Sequence, residues 1–165
     1  MLYLQRRGWD GLDCAVATRA FMSLHVWIYR FVNGTPSSLL VRPILGVLDT
    51  YDCVGQTRCG AFVIHFTDGS CVDFLAPALC DGLSMDFCAF LRGTGQECAR
   101  CIYEVALAGD GVIMPFSEDA VPILTRRSQY SQLPSDYANQ AESLVVCENA
   151  EQLWSLLRDR PMDSL

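Results

Sequence analysis

Apolar side chains follow two different spacings in the first third of the chain. Residues 10–23 carry small and apolar side chains at positions that suit a helix. Residues 25–32 are β-branched and aromatic, which is typical of a strand, and 33–34 (Asn-Gly) favour a turn after it. The run 39–48 is again strand-like. Because Pro43 has no amide donor, we expect this run to be an edge strand or to break there.

The strongest local signal lies in the middle of the chain, where Asp68 and Gly69 separate two apolar runs. An Asp-Gly pair in this position predicts a β-hairpin over 61–75. A two-residue turn would place Phe66 opposite Cys71 and leave both faces of the hairpin largely apolar. We therefore expect this hairpin to lie centrally in a sheet and to be covered on both sides.

Five further elements are predicted along the rest of the chain. They are a helix over 85–92 that is capped by Ser84 and ends at Gly93, a hairpin over 102–116 that turns at 109–111, a polar mobile loop over 126–142, a strand over 144–147, and a closing helix capped by Asn149. The sequence thus predicts one α+β domain over 1–165, with a mostly antiparallel sheet whose central Asp-Gly hairpin (61–75) is flanked by short helices.

Composition narrows the classes of function. Of the residues, 51% are hydrophobic and 19% are charged, which excludes a disordered chain. The formal net charge is −7, and this argues against nucleic acid as a main ligand, because phosphate binding needs a basic surface. All 12 basic residues are Arg, and the chain has no Lys.

Nine cysteines and the first residues of the chain bear on its location. The first residues lack the long apolar run of a secretory signal, so we expect reduced cysteines and a cytoplasmic or nuclear protein. The apolar stretch 14–32 is interrupted by Arg19, His25 and Arg30, which argues against a membrane span. No membrane partner is predicted.

The pair Cys98 and Cys101 is the one CxxC motif. A structural zinc ion would need a second close pair of ligands, and Cys53 and Cys59 are too far apart to supply it. Thioredoxin-type chemistry requires the pair at the start of a helix, whereas Cys101 leads into the strand-like residues that follow it. We predict packing roles for both thiols and leave a metal role as the alternative.

A cysteine-dependent enzyme is a second hypothesis. The chain has two histidines, His25 and His65, and His65 could pair with Cys71, Cys53 or Cys59. No third group that would orient the histidine is evident, and no phosphate-binding loop is present in the sequence. We accordingly predict no catalytic residue, no cofactor and no metal ligand.

The surplus of apolar residues favours an interaction surface, because large exposed apolar patches usually mark interfaces. Six aromatic residues belong to the types that contribute most to interface energy, although we expect two of them, Trp27 and Trp154, to fill the core instead. The six are Trp9, Trp27, Tyr51, Tyr130, Tyr137 and Trp154.

The block 41–95 contains a strand-like segment at 44–48, the hairpin with its Asp-Gly turn, and a segment with Phe87, Phe90 and Leu91 that ends at Gly93. This arrangement resembles the repeating module of the herpesviral branch of the SUKH superfamily, which groups bacterial toxin-immunity proteins with viral regulatory proteins. The resemblance implies an α+β protein without enzymatic activity that binds a host protein and modulates antiviral or cell-death signalling.

Three hypotheses follow from the sequence. The first is a viral protein-binding domain that modulates host defence, and it fits the absence of Lys because such a chain offers no side-chain acceptor for ubiquitin. A GC-rich coding bias explains the missing Lys equally well. The second is the cysteine-dependent enzyme, and the third is a self-associating structural or assembly protein that buries its apolar surplus in a homodimer.

Overall fold

The fold is known from a computed structural model, which describes residues 23–51, 53–54, 61–76, 84, 86–93, 95–116, 121–138 and 144–158. The helix predicted over 10–23 lies outside this part of the chain, except for Ser23, which is the first residue of a strand.

The described residues form nine strands, four α-helices and a short 3-10 helix. In chain order they are β1 (Ser23–Val32), β2 (Thr35–Ser37), α1 (Val41–Leu48), β3 (Cys53–Val54), β4 (Ala61–His65), β5 (Cys71–Leu75), β6 (Asp86–Arg92), α2 (Gln96–Ala108), β7 (Val112–Pro115), β8 (Ile123–Leu124), the 3-10 helix (Arg127–Gln132), α3 (Ser135–Ala138), β9 (Val145–Val146) and α4 (Ala150–Arg158).

One sheet contains all of these strands. Its order is β3-β4-β5-β6-β1-β7-β8-β9, and β2 pairs with the last residues of β1. All pairs are antiparallel except β8 with β9. The predicted α+β class and mostly antiparallel sheet are confirmed, and the Asp-Gly hairpin, β4 with β5, lies inside the sheet between β3 and β6.

Three helices cover one face of the sheet. Alternate residues of the strands, among them Val26 and Ile28 of β1, join one buried cluster with Ile44 of α1, Ile102 of α2 and Leu153 of α4. Helix α2 contacts both α1 and α4. Because side chains alternate along a strand, the neighbouring residues of β1 point to the opposite face.

A second, smaller cluster lies on that opposite face at one end of the sheet. Val112 of β7 and Leu124 of β8 are buried there against Leu133, with Tyr137 of α3 packed beside them. The chain from the 3-10 helix to α3 therefore covers the end of the sheet formed by β7 and β8.

In two segments the structure has a helix where a strand was predicted, or a strand where a helix was predicted. Residues 41–48 form helix α1 and not a strand, because Val41, Ile44 and Leu48 share one buried helical face. Pro43 is accommodated because it lies in the first turn, where amides have no partner within the helix. Residues 86–92 form strand β6 and not a helix, and Phe87, Ala89 and Leu91 alternate into the core.

The register of the Asp-Gly hairpin differs by one residue from the prediction. His65, and not Phe66, lies opposite Cys71. Phe66 donates its amide to the carbonyl of Ser70, which leaves a three-residue loop ending at Gly69 with φ +82°. A loop of this length is a type I turn followed by a left-handed residue, and it puts the apolar pairs on the core face. Within the described part of the chain, helices α1, α2 and α4 share a core with one side of the hairpin, that of Phe62, Ile64, Val72 and Phe74.

The hairpin predicted over 102–116 is half helix. Helix α2 continues to Ala108, the predicted turn at 109–111 follows it, and β7 then begins at Val112. Within 126–142, the predicted mobile loop, the described residues form the 3-10 helix and α3. The last strand and the cap of the closing helix are confirmed, since Asn149 accepts a hydrogen bond from the amide of Gln152 at 3.0 Å.

Candidate binding surface

A row of four aromatic side chains lies along β1 on the sheet face opposite helices α1, α2 and α4. It consists of His25, Trp27, Tyr29 and Phe31, all half-buried. The row exists because β1 alternates aromatic residues with the core residues Val26 and Ile28. We call these four side chains the aromatic row.

Three rings of the row, those of Trp27, Tyr29 and Phe31, contact one another in sequence. The centroids of Trp27 and Tyr29 are 5.9 Å apart with their planes at 15°, and those of Tyr29 and Phe31 are 6.3 Å apart at 40°. These separations lie in the range in which aromatic pairs attract one another. From Trp27 to Phe31 the row is therefore a continuous and preformed surface.

Two phenylalanines from neighbouring strands widen the row at its first residue. The ring of Phe90 in β6 meets His25 edge-on at 4.5 Å, and the ring of Phe116, just after β7, lies 6.2 Å from His25. Phe116 is 59% exposed, which is unusual for such a large apolar side chain. The aromatic row together with Phe90 and Phe116 is called the aromatic face below.

The cover over this face is incomplete in the described structure. The small cluster around Leu133 borders the face near Phe31. No described helix packs over the rings of Trp27, Phe90 or Phe116, since α1, α2 and α4 belong to the core on the other side. An aromatic patch of this kind on a folded domain is the usual mark of an interaction site.

Acidic groups lie beside the rings. Asp86 pairs in register with Tyr29. Burial raises the pKa of Tyr29, and the nearby carboxylate of Asp86 raises it further. Asp73, which is in register with Phe90, forms an ion pair with Arg92. Asp73 of β5 and Asp86 and Arg92 of β6 together add one net negative charge to the face.

His25 is surrounded by apolar rings. Burial lowers the pKa of its imidazole below the ordinary value of 6.5. At neutral pH the side chain is therefore uncharged and contributes to the apolar surface.

A cavity of about 240 Å³ lies at the other end of the row. Phe31 and Val112 line it together with four polar residues, Asp110, Ser128, Gln129 and Gln132. The carboxylate of Asp110 already accepts hydrogen bonds from Arg30 at 3.2 Å and from Arg126 at 3.3 Å. Gln129 is buried, and its amide oxygen accepts from the backbone of Thr125 at 2.9 Å. These bonds connect the turn after α2 to β1 and to the residues at the start of the 3-10 helix, so the polar side chains around the cavity stabilise the fold.

The two cysteines of the CxxC motif lie near the start of α2, and not before a strand as the sequence suggested. Both are buried, and burial raises the pKa of Cys98 to about 11. A thioredoxin-type nucleophile needs the opposite shift. Among the described residues, no group of three or more His, Cys, Asp or Glu side chains could hold a metal ion.

The corrected hairpin register brings together one of the predicted Cys–His pairs. His65 and Cys71 lie directly across from each other, so their side chains share the uncovered face. However, burial raises the pKa of Cys71, and the carboxylate of Asp73 adds to this rise. This environment opposes formation of the thiolate that a nucleophile requires. Cys53 lies opposite Ile64, and Cys59 is outside the described residues.

The other predicted aromatic residues have varied positions. Trp27, expected in the core, belongs to the aromatic face. Trp154 packs against the core as expected and carries the guanidinium of Arg158 at 4.4 Å from its ring. Tyr51 donates a hydrogen bond to Glu104 at 2.6 Å, and Tyr130 is 41% exposed. Trp9 lies outside the described residues.

Comparison with known proteins adds no relative: no family model, curated protein or solved structure matches the chain. Two of the three elements on which the SUKH resemblance depends differ in type, because 44–48 is helical and 86–92 is a strand. None of the described helices has the length and apolar character needed to cross a bilayer.

Proposed function

We propose that this chain is a non-enzymatic protein-binding domain whose docking surface is the aromatic face. The observation that carries the proposal is the preformed row of half-exposed rings on β1, extended by the exposed Phe116. Trp and Tyr are enriched among residues that dominate binding energy at interfaces, because each buries a large rigid area with little loss of conformational entropy.

A protein partner fits this surface better than a nucleic acid. Sheets with exposed aromatic side chains can stack bases, but they bind the phosphates with a basic groove. Here Asp73 and Asp86 lie beside the rings, and the whole chain has a formal net charge of −7. We expect no measurable binding of single-stranded RNA or DNA at physiological ionic strength.

The finer proposal is that the partner is a host protein of antiviral or cell-death signalling and that the chain is viral. The support for this is the Asp-Gly hairpin over 61–75, which is the element of the SUKH resemblance that keeps its expected type, and the absence of Lys. A cytoplasmic or nuclear location belongs to the same proposal.

The test combines affinity capture with direct binding. Wild-type protein and two face variants, Trp27→Thr and Phe116→Ser, are used to capture proteins from a vertebrate cell lysate. A protein enriched by the wild type is then purified and titrated calorimetrically. Because loss of a central aromatic residue costs an interface about 2 kcal/mol or more, we expect each face variant to bind at least about tenfold more weakly.

The matched control is Leu45→Ser on α1. Leu45 is 41% exposed and lies on the helical side of the sheet, so this change removes a comparable apolar area from a different surface. The control should bind the partner like the wild type. The proposal is wrong if no protein is enriched, or if a captured partner binds both face variants as tightly as the wild type. A dimeric mass in light scattering that Phe116→Ser converts to a monomer would instead support the self-associating protein.

A further inference from the structure

The aromatic row ends at a cavity that the proposed function does not use. The cavity has a volume of about 240 Å³, and all six residues that line it belong to the described part of the chain. Phe31 is both the last residue of the aromatic row and part of this lining. We propose that the cavity binds the indole ring of a Trp side chain that the protein partner inserts. The origin of the ring in a partner rests on the proposed function, whereas the binding of an indole does not.

The volume of the cavity suits one fused pair of rings. An apolar cavity of about 150 Å³ binds benzene, and the cavity at Phe31 is roughly 1.6 times as large. Indole, which has a second ring fused to benzene, needs an increase of this kind. Drug-sized ligands occupy cavities of at least about 300 Å³. The cavity therefore fits a single side chain and not a larger ligand.

The apolar part of the lining supplies an aromatic contact. Phe31 and Val112 form it, and the ring of Phe31 already lies 6.3 Å from that of Tyr29 in the row. Aromatic rings attract one another in offset-stacked or edge-on arrangements at centroid separations of about 4.5–7 Å. An indole in the cavity can meet the ring of Phe31 in the same way and so extend the row by one ring.

The polar part of the lining can accept a hydrogen bond. The carboxylate of Asp110 lines the cavity and accepts hydrogen bonds from Arg30 at 3.2 Å and from Arg126 at 3.3 Å. The side-chain amide of Gln129 adds a longer contact of 3.5 Å. A carboxylate has about four acceptor positions, and charge-assisted hydrogen bonds are normally shorter, at about 2.7–2.9 Å. Asp110 therefore retains acceptor capacity that the N–H of an indole can use.

The charges beside the cavity favour an uncharged ligand. Arg30 and Arg126 share one carboxylate, that of Asp110, so these three groups carry one net positive charge. A Lys or Arg side chain of a partner would meet this positive excess, because like charges repel. A carboxylate or phosphate would instead lie against Asp110 in the lining itself. The remaining polar residues of the lining are uncharged.

The walls of the cavity are held in place by hydrogen bonds within the chain. Gln132 accepts at its side chain from the amide of Asn33 and at its backbone carbonyl from the amide of Gly34, each at 2.9 Å. These bonds fix the 3-10 helix against the turn that follows β1. A preformed site avoids the cost of ordering on binding, so a single inserted side chain can be held there. Because the site adjoins the aromatic row, one partner surface can cover both.

NMR titration of the isotope-labelled, full-length protein tests the site. The ligand is N-acetyl-tryptophanamide, which is uncharged and carries an indole. We expect saturable shifts at the side-chain amide of Gln132 and the backbone amide of Val112, with a dissociation constant of about 1 mM. N-acetyl-phenylalaninamide has no donor on its ring and should bind roughly two- to tenfold more weakly, the usual effect of one hydrogen bond. N-acetyl-argininamide should cause no saturable shift at these groups.

Two matched serine variants locate the ligand. Ser128 lines the cavity and is exposed, so Ser128→Leu narrows the cavity without disturbing the core. Ser135, the first residue of α3, is also exposed and does not line the cavity. We expect Ser128→Leu to weaken binding at least about tenfold and Ser135→Leu to leave it unchanged. Phe31→Leu keeps an apolar wall but removes its ring, and should weaken binding about threefold or more.

Three results would overturn the inference. They are the absence of saturable shifts at the cavity, equal or tighter binding of the phenylalanine or arginine ligand, and equal effects of Ser128→Leu and Ser135→Leu. Binding of the tryptophan ligand without any captured partner would leave the site standing and remove the proposed function. A captured partner that binds Ser128→Leu as tightly as the wild type would keep the proposed function and overturn the insertion of a Trp.

Discussion

Burial determines the chemistry of individual cysteines in this protein. Cys88, Cys98 and Cys147 are buried in three different elements or loops, and in each case burial raises the pKa to about 11 from an ordinary value of 9.0. Thiols in such surroundings are packing groups, as the irregular spacing of the cysteines suggests.

These thiols make the free energy of unfolding depend on pH in the alkaline range. Unfolded thiols ionise near pH 9.0, while the folded ones hold their protons to about pH 11. The unfolded state therefore binds fewer protons in this window, and we expect the free energy of unfolding to fall as pH rises through it. Urea denaturation between pH 8 and 10.5 measures the effect. A Cys98→Ala variant should show a shallower decline, and an unchanged slope would contradict the assignment.

His25 makes the free energy of unfolding depend on pH in the acidic range. Burial lowers the pKa of its folded imidazole below 6.5, so the unfolded state takes up a proton first as pH falls. We expect stability to decrease as pH falls below about 6.5 and to level off below the folded pKa. In His25→Gln this part of the pH profile should flatten, as measured by thermal unfolding between pH 7.5 and 5. A profile identical to that of the wild type would show that other groups cause the decrease.

At the scale of elements, the sequence predicted turns and alternating strands well, but it assigned the wrong type to two segments, one helix and one strand. β1, the 33–34 turn and the existence of the 61–75 hairpin were predicted correctly because alternation and turn residues act locally, whereas the predicted register of the hairpin was wrong by one residue. α1 was missed because its β-branched residues favour a strand, although Val41, Ile44 and Leu48 have helical spacing. β6 was missed because its residues tolerate a helix, and pairing with β1 and β5, which are distant in sequence, makes it a strand.

The turn of the hairpin also supports α2. The carboxylate of Asp68 accepts hydrogen bonds from the hydroxyl and amide of Ser70 and from the backbone amide of Glu97, in the first turn of α2. The bond from the Ser70 hydroxyl contributes most to lowering the pKa of Asp68. Gly95 permits this close approach, because a Cβ there would overlap Asp68 and Ser70. One aspartate thus serves both the turn and the start of the helix.

We expect Asp68→Ala to reduce the free energy of unfolding at pH 7 by about 1 kcal/mol, the usual value of a lost helix cap. Because the pKa of Asp68 is lowered, its contribution is complete above about 3.8 and is lost as pH falls through the folded value. Urea denaturation at pH 7 and pH 3 should therefore show a smaller difference between variant and wild type in acid. Thr67→Ala, in the same turn, serves as the control, and equal losses in both variants would refute the capping role.

At the scale of the whole molecule, the residues of the site were visible in the sequence but their role was not. Alternation along β1 already places His25, Trp27, Tyr29 and Phe31 on one side. What the sequence does not contain is the position of β1 between β6 and β7 and the fact that all described helices of the core pack on the other face. Trp27 was therefore expected in the core. The cavity near Phe31 depends on residues about 80 to 100 positions apart and has no sequence signal.

The absence of Lys leads to a prediction about the protein in cells. Arg127 has a side chain that is 86% exposed, so Arg127→Lys adds a ubiquitin acceptor with little change in charge or packing. If the absence of Lys protects the protein from ubiquitin attachment in a host cell, we expect this variant to have a shorter half-life that a proteasome inhibitor restores. Arg127→Gln is the control for loss of the guanidinium. An unchanged half-life in Arg127→Lys would favour coding bias.

The place of β1 in the sheet has a consequence for synthesis. β1 is the first strand described, yet its neighbours β6 and β7 in the sheet begin at residues 86 and 112. At about 5 to 20 residues per second, a ribosome needs roughly 3 to 11 seconds to progress from the end of β1 to the start of β6. During that interval the backbone of β1 has no β6 or β7 to pair with. We therefore expect nascent chains to be prone to aggregation at this stage, and chaperone binding to residues 23–32 should raise the yield of folded protein.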